Sequence, residues 1–245
     1  MAIALRVVDL HKAFGRKQVH RGVSFDLNEG EILGLFGGSG SGKSVILRSI
    51  IGLEKPDQGQ ILFEGQDITG LNESQLIPIR TKIGYVFQNG ALFDSLTVEQ
   101  NLAYPLREHT KLDDAQILQK VNAMLELIDM PGSNNLLPAE LSGGMQKRAG
   151  MARATILEPK IILFDEPTAG LDPVNTKRLV TNVLKLKSRG VTGIFVTHDI
   201  PAAIEIADRI AILNQGKIAV MDTVQNLIES KDPLVQSFMS GAVHG

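Results

Sequence analysis

The stretch Ile32-Leu33-Gly34-Leu35-Phe36-Gly37-Gly38-Ser39-Gly40-Ser41-Gly42-Lys43-Ser44-Val45-Ile46-Leu47-Arg48-Ser49-Ile50-Ile51 decides the fold. An apolar run, a glycine-rich turn and a second apolar segment predict strand, loop and helix. Gly37 to Ser44 fits the spacing G-x-x-x-x-G-K-[ST], and each position has a chemical reason. The glycines Gly37, Gly38, Gly40 and Gly42 let the backbone curl, so that successive N–H groups point inward at a phosphate. A helix starting near Gly42 adds the positive end of its dipole. Lys43 is a point charge for the outer phosphates, and the Ser44 hydroxyl is a group that reaches a magnesium ion. Ser39, Ser41 and Val45 complete the expected cradle. A merely flexible Gly/Ser linker would need neither the strand before it nor the helix after it. The expectation is a site for a nucleoside triphosphate.

The composition bounds what surrounds that loop. A chain of 245 residues is long enough for one large or two small domains. Hydrophobic residues at 43% and charged residues at 21% give an ordinary globular profile. Aromatics are only 4% and Trp is absent, so the core must be mainly aliphatic. A net charge of −2 supplies no electrostatic reason to expect nucleic acid as a partner. With no cysteine, disulfides and thiolate metal sites are excluded. Met1 to Arg6 lacks a basic start followed by a long apolar region, so no secretory signal is expected. No apolar run approaches the ~20 residues of a membrane span. The chain is not expected to cross a membrane alone, although it could dock on something that does.

Outward from the loop, alternating segments predict a mainly parallel sheet covered on both faces. Residues 3–10 and 19–27 read as strands around the turn Phe14-Gly15-Arg16-Lys17; Val23, Phe25 and Leu27 alternate with polar neighbours. Ile61-Leu62-Phe63 is a short strand, and Asn72 with Gln75 resembles a capping box. Ile83 to Phe87 is a buried-type strand ending at Gln88. Residues 98–157 then show no convincing strand. Val98–Leu106, Leu112–Ile128 and Gly144–Leu157 read as helices, the last stopped by Glu158-Pro159. Strands resume at Ile161–Phe164 and Gly193–Thr197. An amphipathic helix lies between them over Asn175–Lys187. Pro201 suits the first turn of the next helix. Ile210–Leu213 and Ile218–Met221 form a hairpin, and a last helix covers Val224–Ser230.

Chemistry gathers at two further points. Ile161-Ile162-Leu163-Phe164-Asp165-Glu166 ends four apolar residues in two carboxylates. A buried parallel strand delivers side chains from its C-terminal end, where ligands bind in such sheets. Asp165 is then placed to hold magnesium, and Glu166 to orient or deprotonate an attacking water. Alone, such a pair could merely cap a strand; beside a phosphate loop the chemical reading prevails. Leu141-Ser142-Gly143-Gly144-Met145-Gln146 is a second Ser/Gly turn opening a helix. From physics alone an ordinary N-cap by Ser142 is favoured over a second anion site.

Ser142 to Gln146 is, however, similar to the signature sequence of ATP-binding cassette (ABC) ATPases, with Met145 standing where Gln is commonest. The other marks follow in order. Phe14 resembles the aromatic that stacks on adenine, Gln88 the Q-loop glutamine, Ala169-Gly170-Leu171-Asp172 the D-loop, and His198 the switch histidine. Without the resemblance, Gln88 would be a polar strand end and His198 a capping or core histidine. The resemblance spans residues 14 to 198 and implies an α/β fold of the P-loop NTPase type. It would have a mainly parallel core sheet, an N-terminal antiparallel β subdomain and a helical insertion. A single domain over 1–245 is implied: core and β subdomain at about 1–88 and 158–230, helical subdomain at about 89–157, tail at about 231–245. ATP and Mg2+ are the implied cofactors, with Ser44, Gln88 and Asp165 at the metal and Glu166, His198 and Gln88 at the chemistry. One copy of each motif implies a homodimer. Ser142, Gly143, Gly144 and Asp172 of one subunit would then close over the phosphates held by Lys43 of the other.

A narrower resemblance lies after Gln88. Asn89-Gly90-Ala91-Leu92-Phe93-Asp94-Ser95-Leu96-Thr97-Val98 and Tyr104-Pro105-Leu106-Arg107-Glu108 look like the ATPase subunits of bacterial maintenance-of-lipid-asymmetry transporters. Gly38 also stands where many ABC proteins carry Pro or Asn. This resemblance implies phospholipid cargo, an integral membrane permease, an MCE lipid-binding protein and a small STAS-domain subunit. It implies a peripheral position on the cytoplasmic face of the inner membrane. Pro233 to Gly245 reads either as a tail reaching the neighbouring cassette or as a frayed terminus. A soluble ABC ATPase acting on nucleic acid or ribosomes is disfavoured. The interval from Gln88 to Ser142 is short and lacks sustained heptads, only one cassette is present, and no basic stripe is evident. A regulatory binder that never hydrolyses is opposed by the presence of both Glu166 and His198.

Overall fold

Two β-sheets enclose one layer of aliphatic core. The structure, a computed structural model, describes residues 2–239. The smaller sheet is antiparallel, in the order β2 (Lys17–Asn28), β1 (Ile3–Phe14), β4 (Gln58–Phe63), β5 (Gln66–Asp67). Pairing of β1 with β2 continues to Phe14 opposite Lys17, beyond the expected strand ends. That end is half exposed, so alternation of apolar residues does not mark it. The register slips between Leu10 and His11, where Gly22, at φ 101°, is an extra residue in β2.

The larger sheet has the order β10 (Lys217–Thr223), β9 (Arg209–Asn214), β3 (Ile32–Gly37), β8 (Thr192–Val196), β7 (Ile161–Asp165), β6 (Ile83–Val86). All neighbours are parallel except the β9–β10 hairpin. Strands β3, β7 and β8 are buried along their whole length, as strands covered on both faces must be. Period-two alternation splits their side chains between two cores. Leu33, Leu35, Leu163, Ile194 and Val196 face the small sheet and α1 (Lys43–Ile50), where Leu5, Phe25, Leu27, Ile46 and Leu47 meet them. Phe36, Ile162, Phe164 and Phe195 face the opposite helical layer.

That layer includes α3 (Val98–His109), α4 (Asp114–Leu127) and α5 (Gly143–Thr155), which lie between β6 and β7 in sequence. Among the described residues, 98–157 contain no strand, as the sequence suggests. Helix starts are chemically marked. Asn72 with Gln75 caps α2 (Glu73–Arg80), Thr97 with Gln100 caps α3, and Asp113 with Gln116 caps α4, each as a reciprocal capping box. Helices α6 (Pro173–Lys187) and α7 (Ile200–Ile206) carry Pro in the first turn, where a missing N–H costs nothing. Two short helices, α8 (Val224–Glu229) and α9 (Pro233–Met239), end the described chain. Val235 and Met239 are buried in the main core, so this part of the expected tail packs on its own subunit. The remainder, 240–245, lies outside the described residues.

The register brings three strand ends together. β8 pairs with both β3 and β7, so Val196 lies between Leu35 and Asp165, and β3 ends two residues further on at Gly37. Loops leaving these ends form the site.

Candidate nucleotide-binding site

From Gly37 the chain turns through Gly38 to Ser41 and enters α1 at Lys43. Gly42 is the N-cap of α1 and takes φ 103°, a conformation that favours glycine. Gly37 is needed for a different reason: a Cβ there would lie 2.7 Å from the Leu213 carbonyl oxygen of β9. Lys43 Nζ folds back and donates to the Gly37 carbonyl at 2.8 Å and the Gly38 carbonyl at 3.3 Å. Burial of this ammonium pushes its pKa below the ordinary lysine range, partly countered by the Glu166 and Asp165 carboxylates. A cation held so near, with only neutral carbonyls as direct partners, is poised to prefer an anion. Gly38, Ser39 and Gly40 are exposed on the loop's rim.

The carboxylates arrive from β7. Asp165 is buried, and its two oxygens have different partners. Oδ1 accepts from the Ser44 hydroxyl at 2.7 Å, and Oδ2 accepts from the Tyr85 hydroxyl of β6 at 2.7 Å. Burial foremost, then the bond to Asp165, raises the Tyr85 pKa, so its phenol stays protonated and donating. Glu166 follows with φ 53°, an uncommon backbone for a residue with a side chain. Its N–H donates to the Val196 carbonyl at 2.9 Å. Its Oε2 accepts from the His198 N–H at 3.1 Å, and its Oε1 lies 3.0 Å from His198 Nε2. The buried hydroxyls of Thr168 and Thr197, 3.0 Å apart, tie the two loops together behind this pair. The side chain of Glu166 is 14% exposed and that of His198 56%, so the imidazole lies at the mouth and the carboxylate inside.

A cleft of about 450 Å³ joins these elements. Phe14, Gly40, Gly42, Lys43, Ser44, Val45, Glu166 and His198 all line it, although they are up to 184 positions apart in sequence. Phe14 is 46% exposed, with Lys12 Nζ 5.1 Å from its ring centroid. Two further lining residues, Lys17 and Val19, carry no motif in the sequence and reach the cleft through the β1–β2 hairpin. Tyr85 was equally illegible; its place opposite Leu163, from which its hydroxyl reaches Asp165, follows only from the pairing of β6 with β7.

Gln88, Ser142, Gly143, Gly144 and Asp172 do not line this cleft. Gln88 is exposed, two residues beyond the end of β6. The loop it starts is pressed on α5: a Cβ on Gly150 would lie 2.2 Å from the Gly90 carbonyl oxygen. Ser142 caps α5, accepting from the Met145 N–H at 3.3 Å. Asp172 caps α6, accepting from the Asn175 N–H at 2.9 Å. Gly144 packs on Asn175, where a Cβ would lie 2.6 Å from its side-chain oxygen, so the two turns form one surface. Ser142 and Gly143 stand exposed there. Lys147 links α5 back to the turn that follows Glu166 by donating to the Ala169 carbonyl.

Residues 20–169 match the family described as ABC transporter. The chain is similar to the protein named intermembrane phospholipid transport system ATP-binding protein MlaF of Escherichia coli strain K12. The two are 41% identical over 94% of this chain and 86% of that protein. It is also similar to the probable ribonucleotide transport ATP-binding protein mkl of Mycobacterium leprae, at 40% identity over 98% of this chain and 70% of that protein. Among solved structures, the ATP-binding cassette MJ0796, described as a dimer in a post-hydrolysis state bound to ADP and Pi, superposes with a TM-score of 0.82. It is 30% identical and covers 90% of this chain and 98% of its own. The likeness runs through phosphate loop and carboxylate strand alike, and the chain belongs to the ATP-hydrolysing, ATP-binding subunits of ABC transporters.

Proposed function

We propose that this chain hydrolyses ATP as one half of a homodimer docked on a membrane permease, and that the cargo moved is phospholipid between inner and outer membranes. The observation that carries the catalytic part is the single cleft holding Phe14, Lys43, Ser44, Glu166 and His198. Phe14 offers a face for the adenine. The N–H groups of the loop cradle the phosphates, and Lys43 exchanges the carbonyls of Gly37 and Gly38 for phosphate oxygens. Glu166 orients and accepts a proton from the attacking water. His198, at the mouth, contacts the γ-phosphate. Most of the rate comes from positioning and charge stabilisation.

Magnesium fits the residues present. Among the described residues no cluster of three or more His, Cys, Asp or Glu is suited to a metal. A hard ion shared with phosphates needs only one or two protein oxygens, and Ser44 Oγ and Asp165 Oδ1 already stand together. Ser44 and Asp165 would hold it, Gln88 would join them only once the loop after β6 brings it to the cleft, and the ion would neutralise charge on the phosphate oxygens.

Ser142, Gly143, Gly144 and Asp172 lie apart from the cleft of their own subunit and are proposed to close the cleft of a second copy. The dimeric state of the similar cassette MJ0796 supports this. ATP binding would favour the closed dimer, and hydrolysis would release it. The exposed rings of Phe93 and Tyr104 support permease docking at the segment after Gln88. The chain would lie peripherally on the cytoplasmic face of the inner membrane.

Phospholipid cargo rests on the likeness to MlaF, of which the chain covers 86%; mkl, covered to 70%, carries a ribonucleotide reading. Isolation of the chain from native membranes with its co-purifying subunits separates them. A permease with an MCE lipid-binding protein and a small STAS-domain subunit is the expected result. An unrelated permease would remove the lipid assignment and leave the ATPase standing. Flotation with protein-free liposomes would contradict docking through a permease.

A further inference from the structure

Beneath the phosphate loop lies a histidine that the catalytic reading does not use. His20 on β2 is 0% exposed. Its Nε2 stands 3.0 Å from the Gly42 carbonyl oxygen. A carbonyl only accepts, so Nε2 carries the proton and Nδ1 is left as an acceptor. Nδ1 is buried without a partner. An unpaired buried acceptor is a net cost to folding, and an apolar side chain would fill the space without it. Burial also lowers the His20 pKa, which keeps the ring neutral. Core packing therefore does not account for a histidine here.

We propose that His20 is a positioning residue for nucleotide binding: it holds the Gly42 peptide so that the Lys43 N–H is aimed at the phosphates. The C=O and N–H of one trans peptide point to opposite sides of a rigid plane. With the Gly42 carbonyl drawn down onto His20, the Lys43 N–H of the same plane points away from β2. Gly42 is conformationally permissive, and the imidazole adds a third donor to a carbonyl otherwise held only by the first turn of α1. The fit is close: a Cβ on Gly42 would lie 2.6 Å from His20 Nε2 and 2.4 Å from Val19 Cγ1. The same carbonyl accepts from the N–H groups of Val45 at 3.0 Å and Ile46 at 3.1 Å, so the imidazole extends the first hydrogen bonds of α1.

The inference rests on reading Gly37 to Ser44 as the phosphate site. Two measurements on the full chain test it. Nitrogen-15 NMR of the unaltered protein reads the ring directly: a neutral Nε2–H tautomer is expected, and an Nδ1–H ring or an imidazolium at neutral pH overturns the proposal. His20→Leu should weaken ADP and ATP binding about five-fold, with the loss in KM rather than kcat and the melting temperature unchanged or higher. His20→Gln, whose amide nitrogen takes the place of Nε2, should restore affinity to within about two-fold. Unchanged affinity in His20→Leu overturns the proposal, as does equal weakening in both variants. Lys43→Ala is the reference. If it too leaves affinity unchanged, the phosphate-loop reading itself fails; if it abolishes binding while His20→Leu does not weaken it, only the role of His20 falls.

Discussion

Gly150→Ala tests whether the loop that begins at Gln88 is positioned by α5. A Cβ on Gly150 would lie 2.2 Å from the Gly90 carbonyl oxygen and 2.5 Å from Gly90 Cα. Gly90 packs back on the same helix, with a Cβ there meeting the Gln146 carbonyl oxygen at 2.8 Å. Each obstacle is backbone, so no rotamer change relieves it. To regain van der Waals contact, loop and helix must separate by about 1 Å. Overpacking of this kind costs about 1–3 kcal/mol. Replacing a helical glycine by alanine returns about 1 kcal/mol. The net of about 0–2 kcal/mol lowers the melting temperature by no more than about 8 °C in a chain of this size, so the variant remains folded. Function should suffer more than stability. Gln88 precedes Gly90 by two residues, and a misplacement of about 1 Å can cost about 100-fold in rate. Phosphate release at saturating ATP should fall by that order, while ATP affinity, set at the phosphate loop, stays unchanged. Gly70→Ala, which meets nothing within 4 Å, is the control. Turnover of Gly150→Ala within about three-fold of the native rate would refute the coupling of α5 to Gln88.

Four further outcomes are expected. Glu166→Gln should bind ATP and accumulate dimers on gel filtration, with kcat reduced by about 100-fold to 10,000-fold; native turnover would remove Glu166 from the chemistry. Lys43→Ala should sharply weaken triphosphate binding in a titration by calorimetry, because the cleft loses its point charge; unchanged affinity would count against the loop. The depressed Lys43 pKa also has a sign. Between its folded value and the higher ordinary lysine value the unfolded chain binds more protons, so nucleotide-free protein should gain stability as pH rises through that alkaline window. Bound phosphate opposes the depression, so nucleotide binding there should take up a proton, detectable as a dependence of the binding heat on the buffer's ionisation enthalpy and absent in Lys43→Ala.

Much of the catalytic half was legible because its determinants are contiguous. Gly37 to Ser44 needs only a strand before it and a helix after it, and Asp165 with Glu166 needs only the end of an apolar strand. Local rules suffice for both, since phosphate cradles and strand ends are made by neighbours in the chain. The same holds for the strand-free interval 98–157 and the capped start of α2 at Asn72. The ends of β1 and β2 were less legible. Pairing across the hairpin extends them through half-exposed residues that alternation does not mark.

His20 shows why alternation can mislead. Counting in twos from Val23, Phe25 and Leu27 places Val19 and Arg21 inward and His20 outward. The extra residue at Gly22 shifts the register by one and turns His20 into the interior, under Gly42. A bulge is an agreement between two strands, and neither strand's sequence specifies it alone. The contact of Gly90 with Gly150 and the hydroxyl of Tyr85 on Asp165 belong to the same class. The sequence by itself determined the phosphate loop, the carboxylates and the family. Only the tertiary structure decided what holds them: strand pairing and helix crossing place residues far apart in sequence within hydrogen-bond or van der Waals reach, and those distances have no local signature.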